Sequence, residues 1–315
     1  MTRLLFATDF HGSDVVFRKF ISAAKMHKVD VIVVGGDITG KAMVPIIERP
    51  DGIHEAYFFA TTHIAKTREE LDELQKRISH VGFYPYPTTR EEYERLKNDQ
   101  SKLDSLFAQI MVNRVADWVR LAEQHLKETN AKFFFMAGND DIYDVDKALA
   151  LSDYVVNPEG KVVEADEDHE MISTGHTNMT PWQCPRDLPE DKLAEIIENM
   201  TSQVKDMSRC IFNLHCPPFN TKLDLAPKLD KDMKYVHKGG QIEMIPVGSE
   251  SVRAAIEKHQ PFLGLHGHIH ESRGFDKLGR TLLLNAGSEY AEGILRAVIV
   301  NMDKDKVKGY LFISG

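Results

Sequence analysis

The stretch Val31-Ile32-Val33-Val34-Gly35-Gly36-Asp37 decides the fold class of this chain. Four consecutive β-branched residues, apolar whichever way they point, read as a strand buried on both faces, and such strands belong to parallel sheets covered by helices. The run stops at a glycine pair and an aspartate, which puts a carboxylate at the strand's carboxyl end. Upstream, Leu4 to Ala7 repeats the pattern and leads into Thr8-Asp9-Phe10-His11. Between the two runs, Val16, Phe17, Phe20, Ile21 and Ala24 fall at helical spacing, so residues 4–34 read as a βαβ unit.

The same pattern recurs further along. Phe133 to Ala137 runs into Gly138-Asn139-Asp140-Asp141, and Cys210 to Leu214 runs into His215. Leu193, Ile196, Ile197, Met200, Val204 and Met207 mark one apolar helix face, entered through Asp187 and Pro189. Ser249 opens a helix through about His259, Pro261 breaks it, and Phe262 to Leu265 forms a strand before His266-Gly267-His268-Ile269-His270. Leu282 to Leu284, Arg296 to Asn301 and Val307 to Ile313 make a strand-rich tail. Residues 41 to about 130 interrupt the alternation: Ala56 to Ala65 suits a hairpin, while Glu69 to Ile78 and Glu91 to Leu126 are charged and helical. The expectation is one domain over residues 1–315 with a cap-like insertion at about 41–130.

Composition narrows the partners. Lys and Arg total 39 against 48 Asp and Glu, a net charge of −9, so the surface as a whole repels nucleic acid and anionic membranes. A small or discrete substrate is expected, and no membrane. Cys184, Cys210 and Cys216 are too few and too unevenly spaced for a disulfide framework, which suits a reducing compartment. With no leader-like start and no apolar run of membrane-spanning length, a soluble cytoplasmic protein is expected.

In chain order, the polar groups at the strand ends are Asp9 and His11, Asp37, Asn139, His215, then His268 and His270. Carboxylate, amide and imidazole donors suit Mn, Fe, Zn or a similar divalent ion, and ligands of open α/β sheets sit outside the strand carboxyl ends. One such motif is common by chance; five in order are not. This order of D-x-H, G-D, G-N-x-D, a lone His and G-H-x-H resembles the calcineurin-like metallophosphoesterase superfamily across residues 4–288. The resemblance implies an α/β fold: a β-sandwich flanked by helices in αββα layers. It also implies two divalent metal ions, one held by Asp9, His11 and His270, the other by Asn139, His215 and His268, with Asp37 bridging.

The sequence departs from the family after Asn139, where many members carry a histidine that protonates the leaving group and this chain has Asp140. An aspartate beside two cations is ionised and donates no proton readily. Three readings stay open: a substrate with a good leaving group, a proton from His176 in Gly175-His176-Thr177-Asn178, or an indirect role for Asp140. Arg273 is a candidate for binding the substrate phosphate. His266 has the parity of His268 and His270 but matches no ligand position, so packing is expected of it. The loop from Pro217 to Gly248 is expected to form a lid with the insertion.

The function expected is hydrolysis of a phosphomonoester or phosphodiester through a hydroxide bridging the two metals. The alternative is a metal-binding scaffold with the same fold and no turnover. A nuclease would want a basic track for backbone phosphates, which this acidic chain lacks.

Overall fold

The computed structural model describes residues 1–315. Two six-stranded sheets form its centre, with strands numbered here in chain order. The first joins β1 (Thr2–Ala7), β2 (Val31–Gly35), β3 (Lys132–Met136) and β4 (Val155–Val156) in parallel. The second joins β6 (Glu170–Thr174), β7 (Cys210–Leu214), β8 (Leu263–His266) and β10 (Thr281–Asn285) in parallel, with antiparallel β5 (Val162–Glu164) and β9 (Gly274–Leu278) at its edges. Antiparallel β11 (Arg296–Asp303) and β12 (Lys306–Ser314) extend the first sheet beyond β1.

Strand alternation sorts the apolar side chains into layers. Leu4, Phe6, Val31 and Val33 of the first sheet meet Ile211, Leu263, Leu265 and Leu284 of the second in one buried cluster. The intervening Leu5, Ile32, Val34 and Phe135 pack under α1 (Asp14–Met26) and, after helices α2 (Arg68–His80) and α3 (Arg90–Lys97), under α4 (Gln100–Leu126). A short α5 (Val145–Leu149) joins this layer. On the far side, Ile172, Phe212 and Leu214 lie under α6 (Glu190–Thr201) and α7 (Glu250–His259). The layers are αββα, as the resemblance implied.

Helix α6 is shorter than its apolar pattern predicts, ending at Thr201 although Val204 and Met207 still pack on the same cluster. Its last carbonyls are taken by side chains: Thr201 donates to the Glu198 carbonyl, and Ser202 and Gln203 both donate to that of Asn199. Local side-chain bonds of this kind end a helix where apolar spacing alone would carry it on.

The inserted segment divides. Strands Met43–Glu48, His54–Phe58, Thr61–Ala65 and Tyr84–Thr89 form a separate four-stranded sheet that packs on α2 around its own cluster of Ile46, Phe58, Leu71 and Ile78. Helix α4 instead belongs to the main body, because Val115, Trp118 and Val119 are buried against the first sheet. The four-stranded sheet with α2 spans residues 43–89 of the 41–130 segment. It meets the main body where Gly12, Gly40 and Gly82 cross: a Cβ on Gly40 would lie 1.9 Å from the Gly82 carbonyl oxygen, so the segments touch only as glycines. No helix is long and apolar enough to cross a membrane.

Candidate metal centre

Register brings the seven candidate ligands to one end of the sandwich. Ala7 pairs with Val34 and Val34 with Phe135, so the loops carrying Asp9, Asp37 and Asn139 leave side by side. In the second sheet, Leu265 pairs with Asn213, which places His268 beside His215. Phe10 anchors the first loop: its ring is buried 5.3 Å from Phe20 and 6.1 Å from Trp118, which turns Asp9 and His11 the opposite way.

Four of the seven, Asp9 (φ +57), His11 (φ +41), Asp37 (φ +51) and His268 (φ +66), have left-handed backbones. Each costs about 1 kcal/mol relative to ordinary backbone, and strain of this kind gathers at functional sites. Neighbouring chain holds it in place: Asp9 donates its N–H to the Gly36 carbonyl and His11 to that of Asp37. His268 corrects the expectation of an extended chelating segment. Strand β8 ends at His266, and Ile269 donates to the Gly267 carbonyl at 2.7 Å, so a γ-turn aims His268 and His270. His266 is fully buried with Nδ1 2.8 Å from the Leu214 carbonyl oxygen, a packing role.

The donor atoms converge in two groups. His11 Nε2 lies 3.1 Å from His270 Nε2, which lies 3.4 Å from Asp9 Oδ1. Asp37 Oδ2 lies 3.3 Å from His215 Nε2 and 3.7 Å from His11 Nε2, between the two groups. Asp9, His11 and His270, and likewise Asp37, His215 and His268, are close enough to share an ion. Donors about 2.1 Å from a common cation, at tetrahedral or octahedral angles, stand roughly 3.0–3.4 Å apart, so the spacing fits.

Two buried donor atoms with no partner complete the fit. Asn139 donates its amide to Asp187 Oδ1 at 2.8 Å and leaves Oδ1 unpaired; His215 holds the Gly35 carbonyl with Nδ1 at 2.7 Å and leaves Nε2 free. Each side chain is oriented by its far end, as outer partners of metal ligands orient them. Gly138 keeps this space open, because a Cβ there would stand 2.2 Å from Asp37 Oδ1.

Electrostatics agree. Burial opposes the charges of Asp37 and Asp9, but His215 beside the first and His270 beside the second outweigh it, holding both pKa values below the usual carboxylate range. Burial pushes His11 and His268 down to about 4. Burial also acts against charge on His215, yet Asp37 and Asp9 prevail and raise it to about 9. Without a cation the cluster keeps two carboxylates by protonating imidazoles, protons that a divalent ion would displace.

The remaining candidates fall differently. Asp140 is at the cluster's edge: its N–H donates to Asp37 Oδ1 at 3.0 Å, and its Oδ2 is 2.9 Å from Lys41 Nζ and 3.7 Å from His11 Nδ1. His176 is turned away into a network with Thr174 Oγ1 (3.0 Å) and Glu159 Oε1 (3.3 Å) and does not line the cleft. Arg273 also lies outside it, with its guanidinium 5.0 Å over the Phe312 ring.

Three residues with roles at the cluster are not legible as such in the sequence. Lys41 follows Asp37 by four residues, but its partner Asp140 is 99 positions away, and nothing local shows the pair. Asp187 reads in the sequence only as a helix entry; it accepts from Asn139, Thr177, Thr180 and Cys184. Tyr290 packs its ring 4.7 Å from His11 and 5.9 Å from His270. A cavity of about 560 Å³ opens over the cluster, floored by candidate ligands with Lys41 and walled by residues 178–184 and 226–247.

No protein-family model matches the chain. It is 33% identical over 137 residues to the uncharacterized protein MJ1162 of Methanocaldococcus jannaschii; the match spans 43% of this chain and little more than half, 55%, of that relative. Among solved structures, one chain 15% identical superposes with a TM-score of 0.58 over 98% of this chain and 97% of its own. The protein TT1561 of Thermus thermophilus, 14% identical, superposes at 0.53 over 100% of this chain and 98% of its own. These likenesses speak to the fold. Along its whole length the chain shares the fold of these two structures, in the αββα layers that the sequence resemblance implied.

Proposed function

We propose that the chain is a metal-dependent phosphoesterase that hydrolyses a phosphomonoester or phosphodiester with two divalent ions, Mn, Fe, Zn or similar. The observation that carries this reading is the position of Asp37 Oδ2 between His11 and His215, together with an unpaired Oδ1 on Asn139, which lines the same cavity. Asp9, His11 and His270 would hold one ion, Asn139, His215 and His268 the other, and Asp37 would face both. When bound, such a pair polarises the phosphoryl oxygens and activates water as the nucleophile.

The chain's own residues do the rest. Lys41 puts an ammonium at the cleft floor; burial acts against its charge, but Asp140 outweighs that and raises its pKa, so it serves as a fixed cation for a phosphate oxygen. Asp140 is held in an ion pair with Lys41. The inserted unit at 43–89 and the loop from Pro217 to Gly248 act as the cap and lid. The cysteines are unpaired, in keeping with a cytoplasmic setting.

The test is hydrolysis of p-nitrophenyl phosphate and bis-p-nitrophenyl phosphate by metal-stripped protein reloaded with Mn. Turnover that disappears in Asp37→Ala and His215→Ala supports the reading. Tight Mn binding with no turnover of either ester points to the scaffold instead.

A further inference from the structure

The cleft's outer wall has a chemistry that the phosphate reading leaves unused. Met179, Trp182, Leu229, Tyr235, Ile245 and Val247 line it, and Trp182, Tyr235 and Met179 are 65%, 56% and 52% exposed. Three large apolar side chains facing water inside one concavity mark a surface that a ligand covers. Lys41, at the floor, is the one lysine or arginine that lines the cavity. A second phosphate further out would find no cation.

The Trp182 side of the wall is tied to a candidate ligand. Asp187 Oδ2 accepts the backbone N–H groups of Thr180 (3.0 Å) and Cys184 (2.9 Å), closing the loop that presents Trp182, while its Oδ1 holds Asn139. Trp182 and the phosphate floor are therefore joined through Asp187 and Asn139.

Resting on the phosphoesterase reading, we infer that the substrate is a single-phosphate ester of an uncharged aromatic alcohol, whose ring lies against Trp182 and Tyr235. A second, independent observation agrees. Position 140 holds an aspartate, 2.9 Å from Lys41 Nζ, where many members of the superfamily place a histidine as proton donor. An aryl oxygen departs without one, because a phenol has a pKa of about 10, far below that of an aliphatic alcohol. The balance is simple: a water oxygen forms the new P–O bond, the P–O(aryl) bond breaks, and its electron pair leaves on the aryl oxygen. An aryl phosphate dianion and water thus give a phenolate and dihydrogen phosphate.

The experiment compares 1-naphthyl phosphate with glycerol 2-phosphate on Mn-loaded enzyme, and titrates phenylphosphonate against tryptophan emission. The chain has two tryptophans, and Trp118 is buried in the core, so a change in emission reports on Trp182. The ratio of kcat/KM should favour the naphthyl ester and fall about tenfold in Trp182→Ala, the size of a lost aromatic contact. Phenylphosphonate should shift the emission of wild type and leave that of Trp182→Phe unmoved. Equal kcat/KM for both esters with silent emission overturns the inference while leaving a phosphoesterase. No turnover of either ester, with emission that still shifts, sinks the activity and supports the aromatic subsite.

Discussion

Replacing Asp187 by asparagine changes one atom, and the structure says where the damage travels. Asp187 Oδ2 faces two backbone donors, Thr180 and Cys184, which cannot rotate away; Oδ1 faces the Asn139 amide and Thr177 Oγ1. In Asp187→Asn the side-chain oxygen must stay with the backbone donors, so the new NH2 group points at Asn139. Two amide NH2 groups cannot share a hydrogen bond, and Asn139 must flip. Its NH2 then enters the cluster where the unpaired Oδ1 had been. Loss of an outer partner that orients a metal ligand costs about 10- to 100-fold in affinity, about 1.4–2.7 kcal/mol, and that loss should fall on one ion of the pair. Equilibrium dialysis against Mn with metal analysis would show one site near wild-type affinity and one weakened. Asn139→Ala should weaken the same site. Two undisturbed sites in Asp187→Asn would refute the reasoning, because Asn139 would then not be a ligand oriented by Asp187.

Further perturbations test other parts of the argument. Phe10→Ala empties a buried aromatic site behind the Asp9 loop and should lower urea stability by about 3–5 kcal/mol, read from the unfolding midpoint. Lys41→Met removes the one cation paired with Asp140 and should raise KM for p-nitrophenyl phosphate more than Lys41→Arg does; equal effects would mean that charge at this point is irrelevant. The metal-free protein carries a His215 pKa raised to about 9, above its unfolded value near 6.5. Its contribution to stability is therefore fully present below about pH 6.5 and lost as pH rises through about 9. Urea midpoints of the stripped protein should fall over that window, and His215→Ala should remove that part of the slope.

The sequence by itself determined the buried parallel strands and the polar residues at their ends, while the αββα layers came with the family resemblance. Runs such as Val31 to Val34 and Leu4 to Ala7 are apolar on both faces, and only a covered parallel sheet buries both, so the strands and their polar ends follow from local pattern. The α6 pattern overran its helix because apolar spacing reports which residues face the core, not where side chains cap the last carbonyls. The His268–His270 pair was legible as a chelate, but its γ-turn was not: parity assumes an extended chain, and only packing against Asp9 and His215 shows that the strand has ended. Tertiary structure alone decided that α4 belongs to the main body, that Arg273 and His176 face away from the cleft, and that Lys41 meets Asp140. The physical reason is common to all three. Strand and helix periodicity are set by neighbours a few residues apart, whereas these contacts join loops from different strands whose meeting depends on sheet register and on how the layers stack.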